Sequence, residues 1–143
     1  MIRFIKAEET LPLRSSVLRN NQPLAQCRFS TDDSGYHLGY FEDEQLVSVV
    51  TFFEEDFTEL GPDGYRLRGM ATRPEFCGRG YGRALIKFAI DELKNRGAAY
   101  IWCNARSSAL GFYLKLNFTI RSETVDVPEN GAHYNMSLQL NNI

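Results

Sequence analysis

Three glycines within five residues, Gly78, Gly80 and Gly82, separate a strand-like run at residues 65–72 from the clearest helix pattern in the chain. Pro74 ends the strand, because it has no N–H to give to a ladder. Residues 81–96 carry Leu85, Phe88, Ala89 and Leu93 at the spacing of one helical face and close on Gly97, with Lys94 and Arg96 in the last turn. The strand must therefore hand over to the helix through a turn whose glycines permit positive φ and close approach of the main chain. In such a turn the loop N–H groups and the helix N-terminus can converge on an anion, phosphate above all, and Arg79 and Arg83 add charge beside it. A tight turn without any ligand would use the same residues, so the loop alone does not decide between the two. No Lys-Ser or Lys-Thr follows the last glycine, which sets the loop apart from a Walker cradle. Its position after half the chain, and the lack of an acid at the end of the next strand (residues 98–104), set it apart from a dinucleotide fingerprint.

The remaining segments supply a sheet for this unit to join. Residues 2–5 read as a short strand, and residues 10–18 as a helix capped by Thr10 with Pro12 in its first turn. Residues 20–34 are polar and broken by Pro23, Asp32, Asp33 and Gly35, an irregular connection whose function is not legible. Residues 36–41 and 46–53 form a hairpin across Glu42-Asp43-Glu44-Gln45, and an acidic stretch, residues 54–64, carries the turn cluster Gly61-Pro62-Asp63-Gly64. After the central helix come a buried strand at 98–104 and a helix at 107–116 started by Ser107 or Ser108. A closing hairpin follows, residues 119–127 and 133–140 across Pro128-Glu129-Asn130-Gly131. The order predicts one α/β (α+β) domain over residues 1–143, a mixed, mainly antiparallel sheet of about six or seven strands flanked by helices. A chain of 143 residues can bury a core of this kind without disulfides or a structural metal.

Several function classes fall away on composition. A net charge of −2 lacks the Lys and Arg excess that draws nucleic acid or an anionic membrane, so neither is an expected partner. Cys27, Cys77 and Cys103 are odd in number and dispersed, and with only His37 and His133 beside them they show no metal-ligand spacing; no metal is expected, and a reducing cytoplasm fits best. Residues 1–5 alternate and then turn polar, unlike a signal peptide, and no later run is long enough to span a bilayer.

Two segments resemble motifs of one family. Residues 67–85, Leu67-Arg68-Gly69-Met70-Ala71-Thr72-Arg73-Pro74-Glu75-Phe76-Cys77-Gly78-Arg79-Gly80-Tyr81-Gly82-Arg83-Ala84-Leu85, resemble motif A of the GNAT acetyltransferases, whose core is Gln/Arg-x-x-Gly-x-Gly/Ala; here it is Cys77-x-x-Gly80-x-Gly82. Cys77 replaces Gln or Arg and removes a side-chain contact while leaving the backbone amides that supply most of the anion binding. As a catalytic thiol Cys77 would need a nearby His, and none lies close in sequence. Residues 104–118, from Asn104 through Phe112-Tyr113-Leu114-Lys115 to Asn117-Phe118, resemble motif B, Ala-x-x-Phe-Tyr-x-Lys-x-Gly-Phe after a strand end. Asn117 stands for the usual Gly at a left-handed helix end, which Asn can also occupy.

The resemblance implies an acetyl-CoA-dependent N-acetyltransferase acting by direct transfer in a ternary complex. It places the coenzyme against Met70, Ala71 and Thr72, the loop Cys77, Gly78, Arg79, Gly80, Tyr81, Gly82 and Arg83, and Asn104, Arg106, Phe112 and Tyr113. The pantetheine would run between splayed strands at residues 67–72 and 98–104. The Met70 N–H would polarise the thioester carbonyl and Tyr113 would protonate the departing thiolate. For an arbitrary helix Tyr113 would simply be core, on the stripe of Ala109, Phe112 and Leu116.

The resemblance implies as acceptor a primary amine of a small molecule or peptide that the sequence does not name. Arg66 and Arg68 share a strand face with Met70 by the period of two and could hold an acceptor carboxylate, or pair with nearby Glu residues instead. His133 could reach the acceptor or be an exposed turn residue. Glu54, Glu55, Glu59, His133 and a water chain are all candidates for the base. Two other readings stay open: a non-catalytic acyl-CoA-binding sensor and a nucleotide-binding regulator. The resemblance also implies a homodimer formed through the sheet edge or the final strands.

Overall fold

The computed structural model describes residues 1–123 and 133–140. Among them are seven strands and three α-helices: β1 (Ile2–Phe4), α1 (Ala7–Leu13), β2 (Tyr36–Glu42), β3 (Gln45–Glu54), β4 (Gly64–Thr72), α2 (Tyr81–Asn95), β5 (Tyr100–Arg106), α3 (Leu110–Lys115), β6 (Thr119–Glu123) and β7 (His133–Gln139). The strand order is β1-β2-β3-β4-β5-β7-β6, a mixed α/β sheet of the class expected. The pairs β1–β2, β2–β3, β5–β7 and β6–β7 are antiparallel and β4–β5 is parallel. The chain divides into two compact units, Met1–Phe53 with Leu67–Leu93, and Glu54–Arg66 with Lys94–Ile143.

In the first unit the β2–β3 hairpin turns on Asp43 and Glu44, whose φ values of 47° and 68° are the paired positive angles of a turn that matches strand twist. Val47, Val49, Val50 and Phe52 of β3 are buried, as are Leu85, Ile86, Ala89 and Leu93 of α2. Each of the Val, Leu, Ile and Phe side chains contributes roughly 1.5–3 kcal/mol by leaving water. Phe88, expected on the core face, lies at its rim with its ring edge-on to Phe4 at 6.2 Å, and Ile86 takes the buried place.

The first helix begins three residues before the expected Thr10. Glu9 Oε1 accepts the Lys6 N–H at 3.0 Å and closes the N-terminus from inside the first turn. Thr10 is buried within the helix and donates its hydroxyl to the Ala7 carbonyl at 2.6 Å. Pro12 thus falls beyond the first turn, where it withholds an N–H from the ladder, and Arg14–Leu18 opens into a π-type turn. The irregular segment after it holds two 3-10 turns, Leu24–Cys27 and Asp32–Ser34.

In the second unit the start of β4 pairs with β5 through Gly64↔Tyr100, Tyr65↔Ile101 and Arg66↔Trp102. Tyr100 straps down the acidic stretch: its oxygen takes the Phe57 N–H at 2.8 Å and its hydroxyl donates to the Gly61 carbonyl at 2.7 Å. A Cβ at Gly64 would stand 2.4 Å from Tyr100 Cζ, so that close approach requires glycine. Strand β5 starts two residues later than expected, because Ala99 gives its N–H to Asp63 (2.8 Å), and it runs on to Arg106 because β7 pairs it as far as Arg106↔His133. Ser107–Ala109 is a 3-10 turn ahead of α3, and no side chain caps either segment, contrary to the expected Ser start. The expected closing hairpin is present as the antiparallel pair β6–β7, from Thr119↔Ser137 to Glu123↔Tyr134; residues 124–127 and the turn Pro128-Glu129-Asn130-Gly131 lie outside the described residues.

Candidate functional site

The glycine loop grows out of β4 through a fixed root. Arg73 donates its N–H to the Val47 carbonyl and its Nε to the Leu46 carbonyl, both at 2.8 Å, and a 3-10 turn, Pro74–Phe76, follows. Gly78 and Gly80 have φ of 79° and 85°, and no atom lies within 4 Å of where a Cβ would stand on either. These glycines are demanded by backbone conformation, and the face they leave bare is open to a ligand. Ala84 N–H to Gly80 C=O, 3.0 Å, is the first bond of α2, so the amides of Tyr81, Gly82 and Arg83 precede the ladder. Arg79 and Arg83 are exposed beside them. Loop amides, a helix N-terminus and two guanidiniums suit a pyrophosphate.

Tyr81 anchors the helix start. Its ring lies 4.5 Å from that of Tyr40 and 6.0 Å from that of Phe76, and its hydroxyl donates to Glu42 Oε2. That hydrogen bond, followed by burial and the Glu42 charge, holds the phenol above its ordinary range against the opposing pull of Arg79. Cys77 is exposed, with its thiol turned toward the Arg73 carbonyl at 3.6 Å.

Upstream, Met70 and Thr72 are half-buried and Ala71 is buried; Thr72 Oγ1 meets Ser48 Oγ at 2.8 Å. Gly69 sits mid-strand at φ 66°, a left-handed residue that ends the strict period of two on which a common face for Arg66, Arg68 and Met70 was expected. Arg14 and Phe29 back this point: a Cβ on Gly69 would lie 3.1 Å from Arg14 Nε and 3.2 Å from Phe29 Cε2. The Phe29 ring also meets the Arg14 and Arg68 guanidiniums, at 3.9 and 4.0 Å.

Arg14 and Asp32, 1% and 2% exposed, form the centre of a buried polar network that the sequence reading missed. Arg14 also donates to Thr51 Oγ1 (2.9 Å) and to the Cys27 carbonyl (3.2 Å), and His37 Nε2 donates to the Asp32 carbonyl (2.9 Å). Burial pushes the Asp32 carboxyl up, but the Arg14 hydrogen bonds, the Phe29 amide and the neighbouring Arg14 and His37 outweigh it, so it stays below the usual value of 3.8. The available signal was Arg14 itself, a charge placed three and four residues after Leu11 and Thr10 on the buried stripe.

The second unit carries the other expected residues. Asn104 and Arg106 are exposed in β5 opposite Asn135 and His133, inside the ladder rather than past its end. Tyr113 is 5% exposed, its ring 5.1 Å from that of Phe112 and 5.3 Å from that of Phe118. Its place is set by the helix end: Phe118 N–H bonds to Tyr113 C=O (3.1 Å), Asn117 N–H bonds to Leu114 C=O (3.0 Å), and Asn117 has φ 71°. This is a Schellman closure with its apolar contact. Burial first, and Cys103 second, push the Tyr113 phenol far above its usual value. Arg66 donates to Glu55 Oε2 at 3.2 Å and lies 4.9 Å from the Trp102 ring centre, the Glu pairing that the sequence left open. His133, half-buried, begins β7.

The expected residues thus gather in two groups. The first unit holds Arg68, Met70–Thr72 and the loop Cys77–Arg83; the second holds Arg66, Asn104, Arg106, Phe112, Tyr113 and His133. Among the described residues no three His, Cys, Asp or Glu side chains gather as a metal site, and no helix is long and apolar enough to cross a membrane.

A family model described as the acetyltransferase (GNAT) family matches residues 3–118. The uncharacterized N-acetyltransferase YitI of Bacillus subtilis (strain 168) is 36% identical over 137 residues, 92% of this chain and 91% of that protein. The [ribosomal protein bS18]-alanine N-acetyltransferase of Escherichia coli (strain K12) is 38% identical over 99 residues, 67% of this chain and 64% of that protein. Among solved structures, an aminoglycoside 6′-N-acetyltransferase complexed with coenzyme A has the same fold, at a TM-score of 0.82 and 11% identity over 100% of this chain and 98% of that one.

Proposed function

The chain belongs to the acetyltransferase (GNAT) family of N-acetyltransferase enzymes, and from that premise we propose that it moves an acetyl group from acetyl-CoA to a primary amine of a small molecule or peptide by direct transfer. The observation that carries the coenzyme assignment is the bare face of Gly78 and Gly80 leading into the amides of Tyr81, Gly82 and Arg83, which precede the first ladder bond of α2. These amides, with Arg79 and Arg83, would hold the pyrophosphate. Bound acetyl-CoA supplies an activated thioester; the chain supplies alignment and charge.

The Met70 N–H follows the left-handed Gly69 and would donate to the thioester oxygen as negative charge develops there. Main-chain groups of Met70 and Thr72 would pair with the pantetheine, and Asn104 and Arg106 would touch the coenzyme. Tyr113, held protonated by its burial, would give its proton to the departing sulfur. The amine must arrive neutral. Glu54, Glu55, Glu59, His133 or water would take the amine's proton; of these, Glu55 pairs with Arg66 and Glu54 accepts the Tyr65 hydroxyl.

The test is incubation with acetyl-CoA and a broad panel of amines and amino-terminal peptides, following thiol release and the mass of each acceptor. Transfer requires thiol release matched by a gain of one acetyl group on an acceptor. Tight coenzyme binding with no acceptor modified under any condition would overturn the transfer reading.

A further inference from the structure

The loop at residues 77–80 is exposed and two of its residues have no side chain, so its own side chains steady it chiefly through the Cys77 thiol at the Arg73 carbonyl and Arg79 over the Phe76 ring. Its position depends on the segments that enter and leave it. At the exit stands Tyr81, the first residue of α2, whose hydroxyl reaches Glu42 at the end of β2. Glu42 is itself well placed to hold something still. It forms the last register pair of the hairpin, Glu42↔Gln45, directly before the tight turn at Asp43 and Glu44. Tyr40, two residues earlier on the same strand, carries the Tyr81 ring against its own.

A carboxylate in this place is otherwise unexpected. The loop carries Arg79 and Arg83 and offers amides to an anion, and a negative charge nearby opposes anion binding. We propose that Glu42 is a positioning residue for acetyl-CoA: by accepting the Tyr81 hydroxyl it fixes the first turn of α2, and with it the direction of the amides that receive the pyrophosphate. This rests on the reading of the glycine loop as the pyrophosphate site. A neutral phenol is the form that donates, and the raised proton affinity of Tyr81 keeps it in that form. A charge-assisted hydrogen bond of this kind is stronger than a neutral one.

Two opposed expectations make the idea testable. If Glu42 acted on the coenzyme only through its charge, Glu42→Ala would remove a repulsion and lower the KM for acetyl-CoA. If it positions the helix start, the same change raises that KM by about tenfold, the size of one charge-assisted hydrogen bond. The measurement compares acetyl-CoA with S-acetylpantetheine, a thioester that lacks the pyrophosphate, for the wild type, Glu42→Ala, Tyr81→Phe and the double variant.

The expected result is a higher KM for acetyl-CoA in both single variants, no further rise in the double variant, and, in Glu42→Ala, an unchanged KM for S-acetylpantetheine with little change in kcat. A general loss of structure would move both thioesters together and overturn the assignment, as would an unchanged or lower KM for acetyl-CoA in Glu42→Ala. A wild type that shows no preference for acetyl-CoA over S-acetylpantetheine would instead overturn the pyrophosphate reading of the loop, and the role of Glu42 with it.

Discussion

Arg14 grips Asp32 through two parallel contacts, Nη1 to Oδ2 at 2.7 Å and Nη2 to Oδ1 at 3.0 Å, with both side chains shut away from water. Removing one partner of such a pair leaves the other buried and uncompensated, at a cost of about 3–5 kcal/mol. Asp32→Asn and Arg14→Met should each lower the urea midpoint substantially, and Arg14→Met with Asp32→Leu should cost less than the sum. The pH dependence has a definite sign. The folded carboxyl lies below the unfolded value of 3.8, so its contribution is full above that value and is lost as pH falls through the folded one. Wild-type unfolding followed from pH 7 down to pH 3 should steepen below about pH 4, and Asp32→Asn should show a shallower slope there. Equal slopes would mean that Asp32 is not held ionised.

What was legible in the sequence follows from distance along the chain. The loop between β4 and α2 announces itself through neighbouring residues, since turn chemistry and helical periodicity are local. The end of α3 is readable for the same reason: Tyr113, Asn117 and Phe118 meet within a single closure. Arg14 and Asp32 lie 18 residues apart across a segment of short irregular turns, and Tyr81 meets Glu42 across 39, so no local pattern could pair them. Gly69 was readable and passed over: a lone glycine inside a strand pattern marks a bulge.

That glycine has a specific consequence. At φ 66°, an alanine there strains the backbone by about 1–2 kcal/mol, and its Cβ would press on Arg14 and Phe29. Gly97, at φ 84° just past α2 with nothing within 4 Å of a Cβ, is the control for strain without a clash. Both Gly69→Ala and Gly97→Ala should melt earlier than the wild type. Only Gly69→Ala should also lose turnover, because Met70 follows it directly. Comparable kcat in the two variants would remove Met70 from the assigned oxyanion role.

The three cysteines should differ sharply in reactivity. Cys27 and Cys103 are buried, and burial pushes the Cys103 thiol up to about 12 despite the lowering influence of Arg66. Cys77 is exposed in the loop. Brief alkylation of the native protein near pH 8, read by peptide mass mapping, should therefore modify Cys77 first. Saturating coenzyme A should slow that modification if the loop holds the pyrophosphate. An unchanged rate would count against the loop as the site.

Tyr113 presents the sharpest balance between structure and chemistry. Its ring completes the Schellman closure with Phe118, so removing the whole side chain would disturb the fold, while Tyr113→Phe keeps the ring and deletes only the hydroxyl that carries the proton. The variant should melt near the wild-type temperature, lower kcat by about 100-fold, and leave the KM for acetyl-CoA within about twofold. The raised proton affinity fixes the sign of the pH effect. A phenol held well above the ordinary value of 10.0 remains protonated across the working range, so the wild-type kcat should show no falling limb from Tyr113 up to that pH. A limb near the ordinary value that disappears in Tyr113→Phe would mean that burial does not hold the proton. Unchanged turnover in the variant would mean that another donor, water included, protonates the leaving sulfur, and Tyr113 would then keep only its packing role.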